Sequence, residues 1–324
     1  MGNQKGHAAF AQSLPPSPRT VSEAAQHLLA TQPNVMGPAD LAEHRSLCAV
    51  VQRDLGATLL ARHRVQMTDD VIAGVPVRIF KPAAMPPAHR NVVLLNLHGG
   101  GFTVDAGSVT ENVPIAAYVN VTVVAARYRL SPEHAFPAAL DDAEAVYREL
   151  LSTRRREEIG LYGTSAGACL CAQLLVRISE KGLPLPRALG FFTGTADLSR
   201  SGDTEYFFRP EGDPSLVEPQ FSSYLRNHDR LAPEISPIFS DLRNLPPVLC
   251  IAGTRDFMLS QTCLFHRALL RAKVDARLLI FEAMPHAHWI YMDIPESDQA
   301  FQAMARFFCE KLGLAYDQFG GHGS

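Results

Sequence analysis

The stretch Ile159-Gly-Leu-Tyr-Gly-Thr-Ser-Ala-Gly167 decides the predicted fold. Its first four residues form a short apolar run typical of a buried strand, and the residues from Ser165 to Ser179 have the composition and length of a helix. A G-x-S-x-G sequence between a strand and a helix is the pattern of a nucleophile elbow, a sharp turn that exposes a serine. Side chains at Gly163 and Gly167 would collide with that serine, so the pattern predicts Ser165 as a nucleophile. The alternative is a plain strand–loop–helix turn.

Similar apolar runs flank this stretch on both sides, and helix-length segments separate several of them. Near-continuous apolar runs are typical of strands that are buried on both faces of a parallel sheet. Strands that alternate with helices predict an α/β fold with a doubly wound sheet. The strand-like runs are 75–80, 91–97, 121–125, 159–162, 188–192, 248–252 and 276–281, and the helical segments are 138–151, 165–179, 260–272 and 295–312.

Two regions do not follow this alternation and are predicted to form a cap over the sheet. Residues 196–235 lack a clean strand pattern, and a long insertion of this kind usually has a function, such as that of a lid. Residues 1–65 carry helix-spaced apolar positions before the first strand, although the Pro-, Ser- and Gln-rich residues 1–20 are expected to be flexible. Residues 66–195 and 236–315 then form the catalytic domain.

A second motif, His98-Gly-Gly-Gly-Phe102, directly follows the apolar run 91–97. Three consecutive glycines leave backbone N–H groups free to point into a cavity, where an acyl-transfer enzyme needs donors for the negative charge that develops on a carbonyl oxygen. A phosphate-binding P-loop would need Gly-Lys-Ser/Thr after the glycines, which this sequence lacks there. The motif therefore predicts an oxyanion hole, with a plain flexible turn as the alternative.

An acid and a base follow later strands in the order that such a site requires. Asp256 and His286 each come shortly after a strand-like run. The order Ser165, Asp256, His286 is that of α/β-hydrolases and differs from that of the major serine proteases. Because parallel strands end at one edge of a sheet, the three loops are expected to meet. His286 would accept the serine proton and Asp256 would orient the imidazole. Glu282 is a weaker candidate for the acid.

Together, these motifs resemble those of the hormone-sensitive-lipase family of α/β-hydrolases. The resemblance covers residues 75–312, and Thr164 places the chain in the Gly-Thr-Ser-Ala-Gly branch, because many members carry Asp there. It implies an eight-stranded, mostly parallel sheet flanked by helices, with a helical cap. It also implies hydrolysis of short- to medium-chain carboxylic esters through an acyl-enzyme, without a cofactor. Its other matching segments are 128–140, 236–238, 245–247 and 282–286.

The resemblance also implies roles for single residues. Arg129 and Glu133 match family residues that brace the site, and ordinary surface charge is the alternative reading of both. The oxyanion donors would be the backbone N–H groups of Gly100, Gly101 and Ala166, beside the other motif residues His98 and Gly99.

Aromatic side chains near these motifs are candidates for the substrate pocket, although core packing would explain them equally well. His288 occupies a position where an aromatic residue usually follows the catalytic histidine, which leaves the shape of the pocket open. The sequence His286-Ala-His288 has no third metal-ligand cluster beside it, so no metal is expected. The pocket candidates are Phe102, Phe207, Phe208, Phe221, His288 and Trp289.

The overall composition argues against several other classes of protein. The 324 residues carry a formal net charge of −3, which predicts no nucleic-acid-binding face. No apolar run approaches the ~18 residues of a membrane span, so no membrane-spanning helix is expected. Six scattered cysteines indicate free thiols in a reducing cytoplasm. The expected partner is a small-molecule ester. The oligomeric state is open, and a homodimer is possible. The substrate could also be a lactone, carbamate or amide. The third alternative is a non-catalytic receptor on a hydrolase scaffold.

Overall fold

The computed structural model describes residues 16–31, 40–207 and 218–316. Within them, one eight-stranded sheet lies between two layers of helices, which confirms the predicted α/β-hydrolase fold. The strands are β1 (Val65–Ile72), β2 (Val75–Pro82), β3 (Val93–Leu97), β4 (Thr122–Ala126), β5 (Ile159–Thr164), β6 (Ala188–Phe192), β7 (Val248–Arg255) and β8 (Ala276–Pro285). The helices are α1 (Glu23–Thr31), α2 (Leu41–His63), α3 (Asn112–Val119), α4 (Ala138–Thr153), α5 (Ala166–Glu180), α6 (Asp203–Phe207), α7 (Glu218–Leu225), α8 (Leu259–Arg271) and α9 (Pro295–Leu312).

The strand order across the sheet is β1-β2-β4-β3-β5-β6-β7-β8. β2 pairs antiparallel with both β1 and β4, and every following pair, from β4–β3 to β7–β8, is parallel. The carboxyl ends of β3 and of β5 to β8 therefore lie along one edge of the sheet, where the loops that follow them meet. The predicted triad Ser165, Asp256 and His286 and the glycine motif that begins at His98 lie in or next to these loops.

Both faces of the sheet are buried because side chains alternate along each strand. In β3, Leu95 packs in the core layer formed with α4, α5 and α8, whereas its neighbour Leu94 packs on the side of α3 and α9. Both leucines are fully buried. Burial on two faces explains why the central strands have continuous apolar sequences rather than alternating ones.

The two N-terminal helices are attached to the sheet domain at separate places. Just before α1, Ser22 donates hydrogen bonds to Glu296 of α9 from its N–H (2.7 Å) and its hydroxyl (2.9 Å). Near the end of α2, Arg62 forms a bidentate ion pair with Asp293, with both N–O distances at 2.7 Å. The start of α1 is thus bound to α9, and the end of α2 is bound to the segment between β8 and α9.

The predicted cap of residues 1–65 and 196–235 stays a prediction. Parts of both segments, residues 1–15, 32–39 and 208–217, lie outside the described residues.

Among all described residues, every helix is too short or too polar to span a bilayer.

Candidate active site

Ser165 occupies a sharp turn between β5 and α5. Its backbone angles are φ 60° and ψ −121°, and its N–H donates to the carbonyl oxygen of Phe192 at the end of β6 (2.9 Å). A Cβ atom on Gly163 would overlap the backbone of Gly167, and one on Gly167 would overlap the carbonyl oxygen of Leu97. The turn therefore requires both glycines, but the obstacle is the backbone of the turn and of β3 rather than the serine.

The predicted acid and the predicted base contact each other at the neighbouring strand ends. Asp256 follows β7 and is fully buried, whereas the side chain of His286, after β8, is 22% exposed. The Nδ1 atom of His286 lies 2.8 Å from Oδ1 of Asp256. Because the carboxylate occupies Nδ1, Nε2 is the ring nitrogen left for other partners. The rival acid Glu282 is exposed on β8.

Thr193, directly after β6, is a part of this group that the sequence analysis missed. Its hydroxyl donates to Oδ2 of Asp256 and lies 3.2 Å from Nδ1 of His286. The Asp256 carboxylate also accepts the N–H of Met258 at 2.8 Å. The carboxylate is thus held by three groups, and the only sequence signal for Thr193 is its place at the end of a strand-like run.

The glycine loop after β3 lies next to the serine. A Cβ atom on Gly99 would be 3.4 Å from Cβ of Ser165. Gly100 and Gly101 have positive φ angles of 117° and 60°, and a Cβ on Gly100 would overlap the carbonyl oxygen of Val104. Within the described part of the chain, the N–H groups of Gly100, Gly101 and Ala166 meet no hydrogen-bond acceptor.

His98 fixes the start of this loop from inside the protein. Its ring is buried, stacks on Tyr128 with a centroid distance of 4.3 Å, and places Nδ1 2.9 Å from the carbonyl oxygen of Gly99. The Tyr128 hydroxyl donates to the carbonyl oxygen of His98 at 2.6 Å. The histidine of the motif therefore braces the loop.

Helix α2 braces the same loop from outside. Gln52 donates to the carbonyl oxygen of Asp105 (2.7 Å) and accepts the N–H of Val109 (2.8 Å). Arg45 donates to the carbonyl oxygen of Thr103 (2.8 Å) and pairs with both carboxylate oxygens of Glu133 (2.6 and 2.8 Å). Sequence reasoning placed this segment in a cap without assigning these contacts.

The other predicted brace, Arg129, pairs with Asp142 of α4 through several hydrogen bonds of 2.8 to 3.0 Å.

Among the described residues, no group of three or more His, Cys, Asp or Glu side chains is arranged to hold a metal ion.

The predicted pocket residues fall into different environments. Phe102 is 1% exposed and stacks on Tyr224 of α7 with a centroid distance of 3.7 Å, which is a packing role. Phe221 packs against the core, Phe207 is 64% exposed, and Phe208 lies outside the described residues. For the aromatic candidates, pocket lining stays a prediction.

His288 and Trp289 are both buried behind His286. The His288 ring lies 5.2 Å from the Phe281 ring, and neither of its nitrogens makes a hydrogen bond within the described residues. Burial lowers the pKa of His288 to about 4. The Trp289 indole N–H donates to the buried carboxylate of Glu111 at 2.9 Å. Both side chains are thus buried in the protein, and their place in the substrate pocket stays a prediction.

Known proteins share this architecture. A family model described as the alpha/beta hydrolase fold matches residues 94–290. An acetyl-hydrolase from Streptomyces hygroscopicus is 30% identical over 235 residues, which cover 70% of this chain and 79% of the relative. The crystal structure of an esterase, E25, superposes with a TM-score of 0.81 at 28% identity and covers 92% of this chain and 97% of its own. An esterase from the bacterial hormone-sensitive lipase family gives a TM-score of 0.79 at 27% identity, covering 90% of this chain and 99% of its own. The chain therefore belongs to the α/β-hydrolase family and is similar to its hormone-sensitive-lipase esterases.

Proposed function

We propose that this protein is a serine carboxylesterase that cleaves short- to medium-chain carboxylic esters, with Ser165, His286 and Asp256 as its catalytic triad. The observation that carries the proposal is the 2.8 Å contact between His286 Nδ1 and Asp256 Oδ1 at the sheet edge that also holds Ser165 in its elbow. This is the arrangement in which a carboxylate orients an imidazole toward a serine.

The first half-reaction transfers the acyl group to the protein. The Ser165 hydroxyl oxygen attacks the ester carbonyl carbon while His286 Nε2 accepts its proton. The N–H groups of Gly100, Gly101 and Ala166 donate to the negatively charged oxygen that forms. The tetrahedral intermediate then breaks its bond to the alcohol oxygen, which receives the proton from His286, and an acyl-serine remains.

The second half-reaction repeats these steps with water. His286 takes a proton from a water molecule, whose oxygen attacks the acyl carbon. The same N–H groups stabilise the second oxyanion. Collapse of this intermediate returns the proton to Ser165 and releases the carboxylic acid. Asp256 holds the imidazole of His286 and stabilises the imidazolium in both halves.

The acyl preference is proposed to be for short chains. The relative from Streptomyces hygroscopicus is an acetyl-hydrolase, which supports acetate as an acyl group. Lactones, carbamates and amides would use the same triad and are the second candidate substrates. A non-catalytic receptor is disfavoured because the Asp256–His286 contact beside the elbow has no role in simple ligand binding.

The test is a hydrolysis assay with p-nitrophenyl acetate, butyrate, octanoate and laurate, run beside a lactone and an anilide. The proposal expects kcat/KM to be highest among the shorter esters. A fluorophosphonate probe should label wild type and leave Ser165→Ala unlabelled. Faster turnover of the lactone or the anilide would assign the alternative substrate class, and labelling of Ser165→Ala would refute the nucleophile.

We further propose a cytoplasmic location, with a homodimer as one possible oligomeric state. All six cysteines are free thiols, and four of them are buried, which supports a reducing compartment. Cell fractionation tests the location. Light scattering coupled to size-exclusion chromatography tests the dimer, and a mass near that of one chain would refute it.

A further inference from the structure

One buried carboxylate connects the three catalytic loops. Glu111, directly before α3, is fully buried. Its Oε1 accepts hydrogen bonds from the Thr164 hydroxyl and from the Trp289 indole N–H (2.9 Å). Its Oε2 accepts a hydrogen bond from the Asn96 amide at 3.3 Å. No step of the proposed reaction uses this carboxylate.

The three donors are neighbours of the three parts of the site. Thr164 immediately precedes Ser165, and Trp289 lies three residues after His286. Asn96 lies in β3, two residues before the motif that begins at His98. A single side chain therefore joins the nucleophile elbow, the histidine loop and the strand that carries the oxyanion loop.

A second layer of hydrogen bonds holds this network in place. Asn112 donates to the side-chain oxygen of Asn96 (3.0 Å) and to the carbonyl oxygen of Ser108 (2.8 Å), and it accepts the hydroxyl proton of Tyr162. All four residues are buried. Fully satisfied buried networks are rigid, because every alternative arrangement leaves a polar group without a partner.

The donor set requires an acceptor at position 111. An indole N–H and an amide NH₂ can only donate, and a carboxylate offers about four lone-pair sites and no proton. Burial raises the pKa of Glu111 to about 7, against the opposing effect of these hydrogen bonds. At pH 8 the carboxylate form therefore predominates and suits all three donors.

We propose that Glu111 is a positioning residue that fixes Ser165, His286 and the oxyanion loop relative to one another, and that it selects threonine at position 164. The inference rests on the proposed function, because it needs Ser165 to be the nucleophile. An aspartate at position 164 would place two buried carboxylates within hydrogen-bond reach, which is unfavourable for both. A threonine hydroxyl supplies the donor instead.

The test compares Glu111→Gln, Thr164→Asp and the double variant at pH 8. Glu111→Gln should lower kcat about tenfold with KM unchanged within about twofold, since small displacements of catalytic groups reduce rate rather than binding. Thr164→Asp should lower kcat about a hundredfold. The double variant should recover about tenfold over Thr164→Asp, because the amide introduced at position 111 donates to the new carboxylate.

The matched control is Glu144→Gln, which alters another buried carboxylate. Glu144 pairs with Lys181 at the far end of α5, about 24 Å along the helix from Ser165. Its kcat should equal that of wild type even if its melting temperature falls. An unchanged kcat in Glu111→Gln, or no recovery in the double variant, would overturn the inference.

Two more conservative variants keep the inference testable if Glu111→Gln or Thr164→Asp does not fold. Thr164→Ser keeps the hydroxyl and should keep kcat within about twofold, whereas Thr164→Val keeps the shape and should lose about fivefold. Equal kcat in both variants would overturn the inference. An active Ser165→Ala would overturn the proposed function, and the inference with it. An inactive Ser165→Ala beside a normal Glu111→Gln would overturn the inference alone.

Discussion

The hydroxyl of Thr193 donates a hydrogen bond to the Asp256 oxygen that His286 does not contact. Thr193 is held in this position by its own N–H, which donates to the carbonyl oxygen of Ile251 in β7 at 2.7 Å. Asp256 is fully buried, so a lost donor cannot be replaced by bulk water. The threonine therefore fixes the orientation of the proposed catalytic acid.

Thr193→Val is expected to lower kcat about tenfold while KM changes less than about twofold. Valine has the same branching, so the backbone at φ 43° is equally strained in both proteins. Thr193→Ser retains the hydroxyl and serves as the control, with kcat near that of wild type. Steady-state kinetics on a short ester measure kcat and KM of both variants. A wild-type kcat in Thr193→Val would show that the hydrogen bond has no catalytic role.

Ser165→Ala is expected to lower kcat by a factor on the order of 10⁶. Alanine has no nucleophilic oxygen, and the positive φ of 60° is equally unfavourable for serine and alanine. The free energy of unfolding should therefore change little. Chemical denaturation followed by circular dichroism measures it. Measurable burst kinetics in the variant would mean that another residue is acylated.

Seven of the eight strands were predictable because each contains a short, largely apolar run. β1 was missed because Val65 is its one buried residue, so it has no apolar run. Helix α3 was missed because seven of its eight residues are buried, which removes the polar face that marks a surface helix. Neither element therefore shows the periodic alternation of apolar and polar residues that marks a half-buried helix or strand.

The motifs provide candidates for the triad and the oxyanion loop, because the chemistry of these groups depends on residue type and order. Glu111 and Thr193 carry no such signal. Glu111 is 53 residues from its partner Thr164, and Thr193 is 63 residues from Asp256. Only the sheet order brings these pairs together. For Phe102 and Trp289 the sequence leaves both roles open, because an aromatic residue beside a motif looks the same whether it lines a pocket or fills the core.

Two buried groups should give the protein opposite pH dependences of stability. The pKa of His288 falls from 6.5 to about 4 on burial, so the unfolded chain binds its proton first and stability decreases as the pH falls from about 6.5 to 4. The pKa of Glu111 rises from 4.5 to about 7 on burial, so stability decreases as the pH rises from about 4.5 to 7. Each effect amounts to about 3 kcal/mol.

In wild type these two effects oppose each other between about pH 4.5 and 6.5. Relative to wild type, His288→Gln should lose stability as the pH rises through this window, and Glu111→Gln should gain stability. Urea denaturation at several pH values measures both slopes. Parallel curves for wild type and the two variants would show that neither group has a shifted pKa.

Gln52 connects helix α2 of the N-terminal segment to the loop after β3. It is 6% exposed, and besides its bonds to Asp105 and Val109 it accepts the Ser108 hydroxyl at 3.3 Å. The loop it holds folds back on the oxyanion glycines, since Ala106 N–H donates to Gly99 and Val104 N–H donates to Gly100. The position of these glycines therefore depends on a side chain of helix α2.

Gln52→Ala frees the loop and should lower kcat about tenfold with little change in KM. Gln52→Glu should be worse, because its carboxylate would face Asp105, whose Oδ1 lies 3.2 Å from the Gln52 amide nitrogen. Arg53→Ala, on the exposed face of the same helix, is the control and should behave as wild type in a steady-state assay on a short ester. If Gln52→Ala matched Arg53→Ala in kcat, helix α2 would be a cover over the loop rather than a brace for it.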